Sequence, residues 1–221
     1  MKEILIGTTN PSKANYFAWL LSGYDLRFHT LKDLDITAEP EETGNTPEEN
    51  AILKARFYGQ FFDLVLCNDS GLYLDCLPLS DPRQPGLHVR TPGNGPRLDD
   101  EEMLRWYSTL AHSLGGQVLA YYLNGLAVWN RGRISSYTVT PEFARQDAFY
   151  LVDTPSPKRR EGWPLDSISL YKDSMTYFVD APSENTQNDQ RTNVLFEKTR
   201  SSLVGFLVEA LQLEENAERK I

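Results

Sequence analysis

Short apolar runs, amphipathic stretches and polar loops alternate along this chain in the order an α/β protein requires. Residues 3–7, EILIG, form an apolar run closed by glycine, and SKANYFAWLLSG follows with helical spacing and Gly23 as a C-terminal stop. DLRFHTL alternates well enough to predict a second strand, whereas KDLDITAEPEETGN is polar, acidic and aperiodic, hence a loop. Thr46, Pro47 and Glu49 then supply an N-cap, a first-turn proline and a capping-box glutamate, predicting a helix as far as Phe61. LVLC and LYLDCL predict two strands on either side of a sharp corner at NDSG, and the prolines between Pro78 and Pro96 predict a long surface excursion.

Farther on, DDEEMLRWYSTLAHSLGG is the clearest amphipathic helix, acidic at its start and closed by a glycine pair. QVLAYYLNGLAVWNRGRISSYTVT predicts two long strands around a turn at Arg131 and Gly132. AFYLV, SISLY and TYFVD predict further strands, and a last helix over residues 193–213 precedes a charged tail at 214–221. Helices intermixed with strands in both halves favour an α/β chain over a bundle or a sandwich.

Composition narrows the function. With 221 residues, 40% of them hydrophobic, the chain can bury one sizeable core or two lobes sharing a sheet. A formal net charge of -9 argues against a main surface that clamps nucleic acid. Cys67 and Cys76 form no CxxC pair and have no neighbouring histidine, so both are expected to be core thiols in a reducing compartment. The first apolar run is too short for a signal peptide and none reaches the ~18 residues of a membrane span, so the expectation is a cytoplasmic protein with no membrane partner.

Three groups of polar residues fall at predicted element ends. In the first, Thr8, Thr9, Asn10, Pro11, Ser12 and Lys13 link the opening strand to its helix; hydroxyls, an ammonium and the unsatisfied amides of the helix start make an anion cradle, with a solvated surface lysine as the alternative. In the second, Glu41 and Glu42 precede the capped helix, on which Asn50 and Lys54 share a face; such groups suit a divalent cation beside a phosphate, or merely complement the helix dipole. The third is Asp69 with Ser70 and Gly71, a carboxylate placed to ligate metal or take a proton from water, or ordinary turn chemistry. No nucleophile-elbow serine or cysteine is present, which leaves covalent catalysis little support.

Taken together, ILIGTTNPSK, EETGNTPEENAILKAR, NDSGLYLDCL and PGLHVR, in this order and spacing, resemble the inosine triphosphate pyrophosphatase family, which acts on non-canonical purine nucleotides. The resemblance implies an elongated mixed sheet flanked by helices, in a single domain of two lobes over residues 1–213 with a substrate cleft, and a homodimer. It implies Mg²⁺-dependent hydrolysis of ITP, dITP or XTP to monophosphate and pyrophosphate, which sanitises the nucleotide pool. Carried over by position, Asp69 is the proton acceptor and a metal ligand, and Glu42 is a further metal-side carboxylate. Lys54 and Lys13 face the phosphates, and residues 8–12 and Ser70 touch substrate.

The second half departs from the family pattern. Asn68 stands where an acid usually precedes Asp69, which puts metal affinity in doubt. Where the family has a glycine, an aromatic and an acid in one motif, Gly162, Trp163, Pro164, Leu165 and Asp166 keep all three, with Trp163 placed to pack on the base, and Arg200, in Lys198-Thr199-Arg200, is the nearest counterpart of a base-reading Ser-His-Arg motif. Rival readings are a Maf-like pyrophosphatase acting on pyrimidine or modified nucleotides, which ETGNTPEENAILKA argues against, and a nucleotide-binding protein of the same fold without turnover.

Overall fold

A computed structural model describes residues 1–181 and 194–214, except for the side chains of 194–199. The described chain divides into two compact units, one drawn from Met1–Asp69, Asn124–Thr138 and Thr192–Ile221, the other from Ser70–Leu123 and Val139–Arg191. Strands β1 (Lys2–Ile6), β2 (Leu26–Thr30), β3 (Leu64–Leu74), β4 (Gln117–Asn130) and β5 (Arg133–Thr138) serve the first unit in the order β2-β1-β3-β4, with β5 beside β4. β1 pairs in parallel with both β2 and β3, while β4 and β5 form an antiparallel hairpin. Its turn needs positive φ at both central positions, and Arg131 (48°) and Gly132 (96°) supply it.

Both faces of this sheet are covered, which explains the unbroken apolar runs in β1 and β3. Helices α1 (Pro11–Leu20) and α5 (Val194–Leu211) pack with Ile4, Ile6, Leu64, Leu66, Leu126 and Val128 on one face. The alternate residues Leu5, Val65, Cys67 and Ala127 face Ala51, Ala55 and Tyr58 of α2 (Pro47–Tyr58) on the other. Helix α5 begins near the expected residue 193; the tail over 215–221 lies outside the described residues.

The second unit orders the remaining parts of β3 and β4 with β6 (Phe149–Val152) and β7 (Ser169–Leu170), antiparallel from β4 onward. Helix α3 (Asp100–Ser113) carries the full capping box at Asp99 and Glu102 and buries Met103, Leu104, Tyr107 and Leu110 against Leu72, Leu74, Val118 and Leu151. A short helix α4 (Pro141–Ala144), not anticipated from periodicity, brings Ala144 against Tyr121. The result is a mixed sheet with helices, the expected α/β class.

The corner predicted at NDSG is absent: β3 runs straight through residues 68–71. Turn residues stay extended here because their polar groups find partners across the sheet and from α2, described below. Gly71 serves a close approach instead, since a Cβ there would stand 3.0 Å from the Gly86 carbonyl oxygen that accepts from Leu72 N–H. TYFVD is not a strand either. It makes only a bridge from Tyr177 to Leu170, and the Arg160 guanidinium gathers the Phe178 and Ala181 carbonyls at 3.1 and 3.3 Å, holding that segment in a 3₁₀ turn over Phe178–Asp180. Of the cysteines, Cys67 is buried as expected, but Cys76 is exposed. No helix among the described residues is long and apolar enough to cross a membrane.

Candidate active site

The loop of the first polar group leaves β1 beside the stretch of β3 that leads into the third, at the edge where α/β sheets generally place ligands. Gly7 N–H donates to Leu66 O at 2.9 Å, fixing the start of the 8–13 loop against β3 just before Asn68 and Asp69. Only glycine fits there, because a Cβ at Gly7 would lie 2.5 Å from Cys67 Sγ and 2.7 Å from the Tyr58 ring. Burial pushes the Cys67 thiol up to about 12, so it is an inert wall.

The helix start is not the open amide cradle that the sequence suggests. Asn10 caps α1, its Oδ1 accepting from Ser12 N–H at 2.9 Å and Lys13 N–H at 3.4 Å, and Asn10 N–H itself donates to Thr8 Oγ1 at 3.2 Å. Pro11 has no N–H to offer. The orphan donors of the first turn are thus already engaged within the loop itself.

Helix α2 brings the second group to the same place. Thr46 Oγ1 caps Glu49 N–H at 3.1 Å, while Glu49 Oε2 reaches back to Asn45 N–H at 2.7 Å rather than to the cap residue itself. One face of the helix then presents Asn50 and, a turn later, Lys54. Asn50 is buried, accepts Gly44 N–H at 2.8 Å through Oδ1, and donates from Nδ2 to Asp69 Oδ2 at 3.0 Å. Lys54 Nζ lies 3.1 Å from Asp69 Oδ1 and 2.7 Å from Glu42 Oε1, with the Lys54 and Asp69 side chains only 14% and 12% exposed. Burial pulls the Lys54 pKa down, but the Asp69 and Glu42 carboxylates outweigh it and the net shift is upward. Lys54 is therefore a permanent cation at neutral pH.

Asn68 does something a carboxylate cannot. Its Nδ2 donates to Asp69 O at 3.0 Å and to Gly125 O at 3.1 Å, tying β3 to β4 beside the catalytic candidate. Among the described residues no three histidine, cysteine or acidic side chains gather into a metal cage. The donor set that is present, Glu42 and Asp69, suits an ion held by one or two carboxylates and completed by substrate oxygens, which is how Mg²⁺ is ordinarily bound. Glu41 is exposed.

The structure thus brings together Glu42, Lys54 and Asp69, with the 8–13 loop beginning alongside. Gly125 is a residue that sequence reasoning missed, and Asn50, noticed on the face of Lys54, was given no role; the signal for the first was a glycine inside a strand, which marks a close backbone approach. Within the second unit, Pro164 and Leu165 are buried, Trp163 is exposed, and Asp166 Oδ2 takes Arg160 Nη1 at 2.7 Å. Ser70 simply follows Asp69 on β3. Arg200 is not brought to the Glu42–Lys54–Asp69 group. It lies inside α5 rather than before a helix, with its guanidinium 4.9 Å over the Trp19 ring at the far end of α1.

The Ham1 family model matches residues 4–124, which takes in the 8–13 loop, Glu42, Asn50, Lys54 and Asp69. The chain belongs to the Ham1 family. A dITP/XTP pyrophosphatase of Thermoanaerobacter pseudethanolicus (strain ATCC 33223 / 39E) is 37% identical over 100 residues, 44% of this chain and 48% of the relative. One of Bacillus subtilis (strain 168) is 44% identical over 80 residues, 35% of this chain and 39% of the relative. The matched stretch thus spans about half the length of these relatives, or less. Solved structures extend the likeness in fold: the Staphylococcus aureus Ham1 protein superposes with TM-score 0.62 at 21% identity over 92% of this chain and 98% of its own. A HAM1 protein from Coxiella burnetii does so with 0.65 at 20%, over 93% and 100%. Trp163, Asp166 and Arg200 fall beyond the family-matched residues.

Proposed function

We propose that this chain is a Mg²⁺-dependent nucleoside triphosphate pyrophosphatase that hydrolyses ITP, dITP or XTP to the monophosphate and pyrophosphate. The observation that carries the reading is the Asp69 carboxylate, held on one oxygen by a buried amide and on the other by a half-buried ammonium that also grips Glu42. Membership of the Ham1 family, with relatives named dITP/XTP pyrophosphatase, supports it.

In this reading Asp69 takes the proton of a water whose oxygen bonds to the α-phosphorus as the bond from that phosphorus to the pyrophosphate oxygen breaks. Lys54 offsets the negative charge that gathers on the phosphoryl oxygens, and Lys13, on its capped loop, meets the triphosphate. Glu42 and Asp69 would hold Mg²⁺, which supplies charge neutralisation on the departing pyrophosphate. A cytoplasmic homodimer is the accompanying proposal from the resemblance.

The test is product analysis. Purified protein incubated with ITP, dITP or XTP should yield monophosphate and pyrophosphate in equal amounts with Mg²⁺, and none after chelation. Release of orthophosphate and a nucleoside diphosphate as primary products would overturn the assignment. Binding without turnover would favour the non-catalytic reading that Asn68 raises.

A further inference from the structure

Asn50 has a single amide that spans two elements of the site, and its orientation is forced. Gly44 N–H can only donate, so the oxygen of Asn50 must face it at 2.8 Å, and the NH₂ group is thereby turned toward Asp69 Oδ2 at 3.0 Å. The side chain is 2% exposed, so water does not compete for either bond. The loop leaves no slack: a Cβ on Gly44 would stand 2.7 Å from Asn50 Oδ1 and 2.9 Å from Asn50 N. Two residues before Gly44 in the same loop is Glu42, whose carboxylate meets Lys54, and Lys54 takes the other Asp69 oxygen.

We propose that Asn50 is a positioning residue for the hydrolytic reaction: it sets the rotation of the Asp69 carboxylate by the position of the Glu42-bearing loop. The proposal rests on the pyrophosphatase reading for its kinetic consequence. A carboxylate free to turn about its Cβ–Cγ bond samples poor angles toward an attacking water. One pinned on Oδ2 by an amide and on Oδ1 by an ammonium does not, and a misplacement near 1 Å costs about 10²-fold in rate. Asn50 acts through Asp69 and itself touches neither substrate nor metal in this scheme.

Asn50→Asp separates the two halves of the amide. It keeps an acceptor for Gly44 N–H, and so the loop, but turns an oxygen rather than a donor toward Asp69. The expected result is a kcat about 10²-fold lower with KM for ITP changed by less than about threefold, because only the reacting geometry is disturbed. Gly44 amide hydrogen exchange should stay slow in Asn50→Asp and quicken in Asn50→Ala. A purely structural Asn50 would leave kcat intact in Asn50→Asp, and that result overturns the proposal.

A second readout needs no turnover. The exchanged pair Asn50→Asp with Asp69→Asn restores one donor and one acceptor between the positions, so it should recover the Tm lost in Asn50→Asp while remaining inactive. An exchanged pair no more stable than Asn50→Asp also overturns the proposal. If Asn50→Asp does not fold, folding of the exchanged pair supplies the same answer. Absence of pyrophosphate release by the wild-type protein would remove the pyrophosphatase reading and leave the coupling of Asn50 to Asp69 to be judged on Tm alone.

Discussion

Asn68 and Asp69 are adjacent on one strand, and their side chains have opposite duties. Asp69 collects donors, whereas Asn68 spends both N–H groups on backbone carbonyls, at 3.0 Å to Asp69 O and 3.1 Å to Gly125 O. Read from sequence, Asn68 looks like a lost metal ligand. Its geometry makes it a tie between two strands. Replacing it by the acid that the family resemblance would favour sets a carboxylate against two carbonyl oxygens and removes both donors. Asn68→Asp should therefore lower stability by about 2 kcal/mol, a drop in Tm of roughly 4–8 °C for a chain of this size, whatever it does to metal affinity. Thermal unfolding of the two proteins, without metal, decides it; an unchanged Tm would return Asn68 to the status of a degraded ligand. Asp69 and Lys54 were legible because an isolated acid after a buried strand and a lysine on a capped helix announce themselves. Asn50 was harder, since a buried amide looks like any polar helix residue until its two partners are known.

At the scale of elements, the site depends on how closely α2 lies on the sheet. A Cβ at Gly125 would stand 2.1 Å from Glu48 N and 2.3 Å from the Pro47 carbonyl carbon, so the first turn of α2 rests on the bare backbone of β4. Ser136 Oγ on β5 adds a 2.6 Å hydrogen bond to Glu48 Oε1. The atoms a methyl group would strike are backbone and cannot swing aside. Gly125→Ala should accordingly cost about 1–3 kcal/mol or more, and, by lifting α2 with Asn50 and Lys54 away from Asp69, it should lower kcat as well. Urea unfolding alongside turnover tests both halves, and wild-type values in either would show that α2 can ride over the added methyl. The capped helix and the strands around it were readable from periodicity. The corner at NDSG was not, because turn propensity describes a chain whose polar groups lack other partners, and here α2 and β4 supply them. The strand expected at TYFVD failed for a related reason, the Arg160 guanidinium claiming the Phe178 carbonyl and that of Ala181 just beyond.

At the scale of the whole molecule, the question is where selection of the base resides. The ordered motifs that reveal the family lie in the first half, where phosphate and metal chemistry demand fixed residue types at strand ends. Recognition of a base admits many donor and aromatic solutions, so the second half leaves a fainter trace. Arg200 illustrates this. β1 enters the 8–13 loop at its carboxyl end, α1 returns to the edge where β1 and β2 begin in parallel register, and Trp19 lies in the last turn of that helix. Arg200 stacks on this ring, beside a recess lined by Leu20, Gly23 and Tyr24, at the opposite edge of the sheet from Asp69. The contact is a cation–π pair joining α5 to α1, worth about 0.5–1 kcal/mol at an exposed position. Arg200→Ala should thus lower Tm by roughly 1–4 °C and leave the ratio of kcat/KM for ITP to that for ATP unchanged. A ratio that collapses in the mutant would restore Arg200 to the base, whereas an unchanged ratio directs the search to the second unit and to the loop around Arg191, which lies outside the described residues. In the second unit Asp166 is already committed to Arg160 at 2.7 Å, so the exposed Trp163 becomes the side chain to test for stacking against a purine.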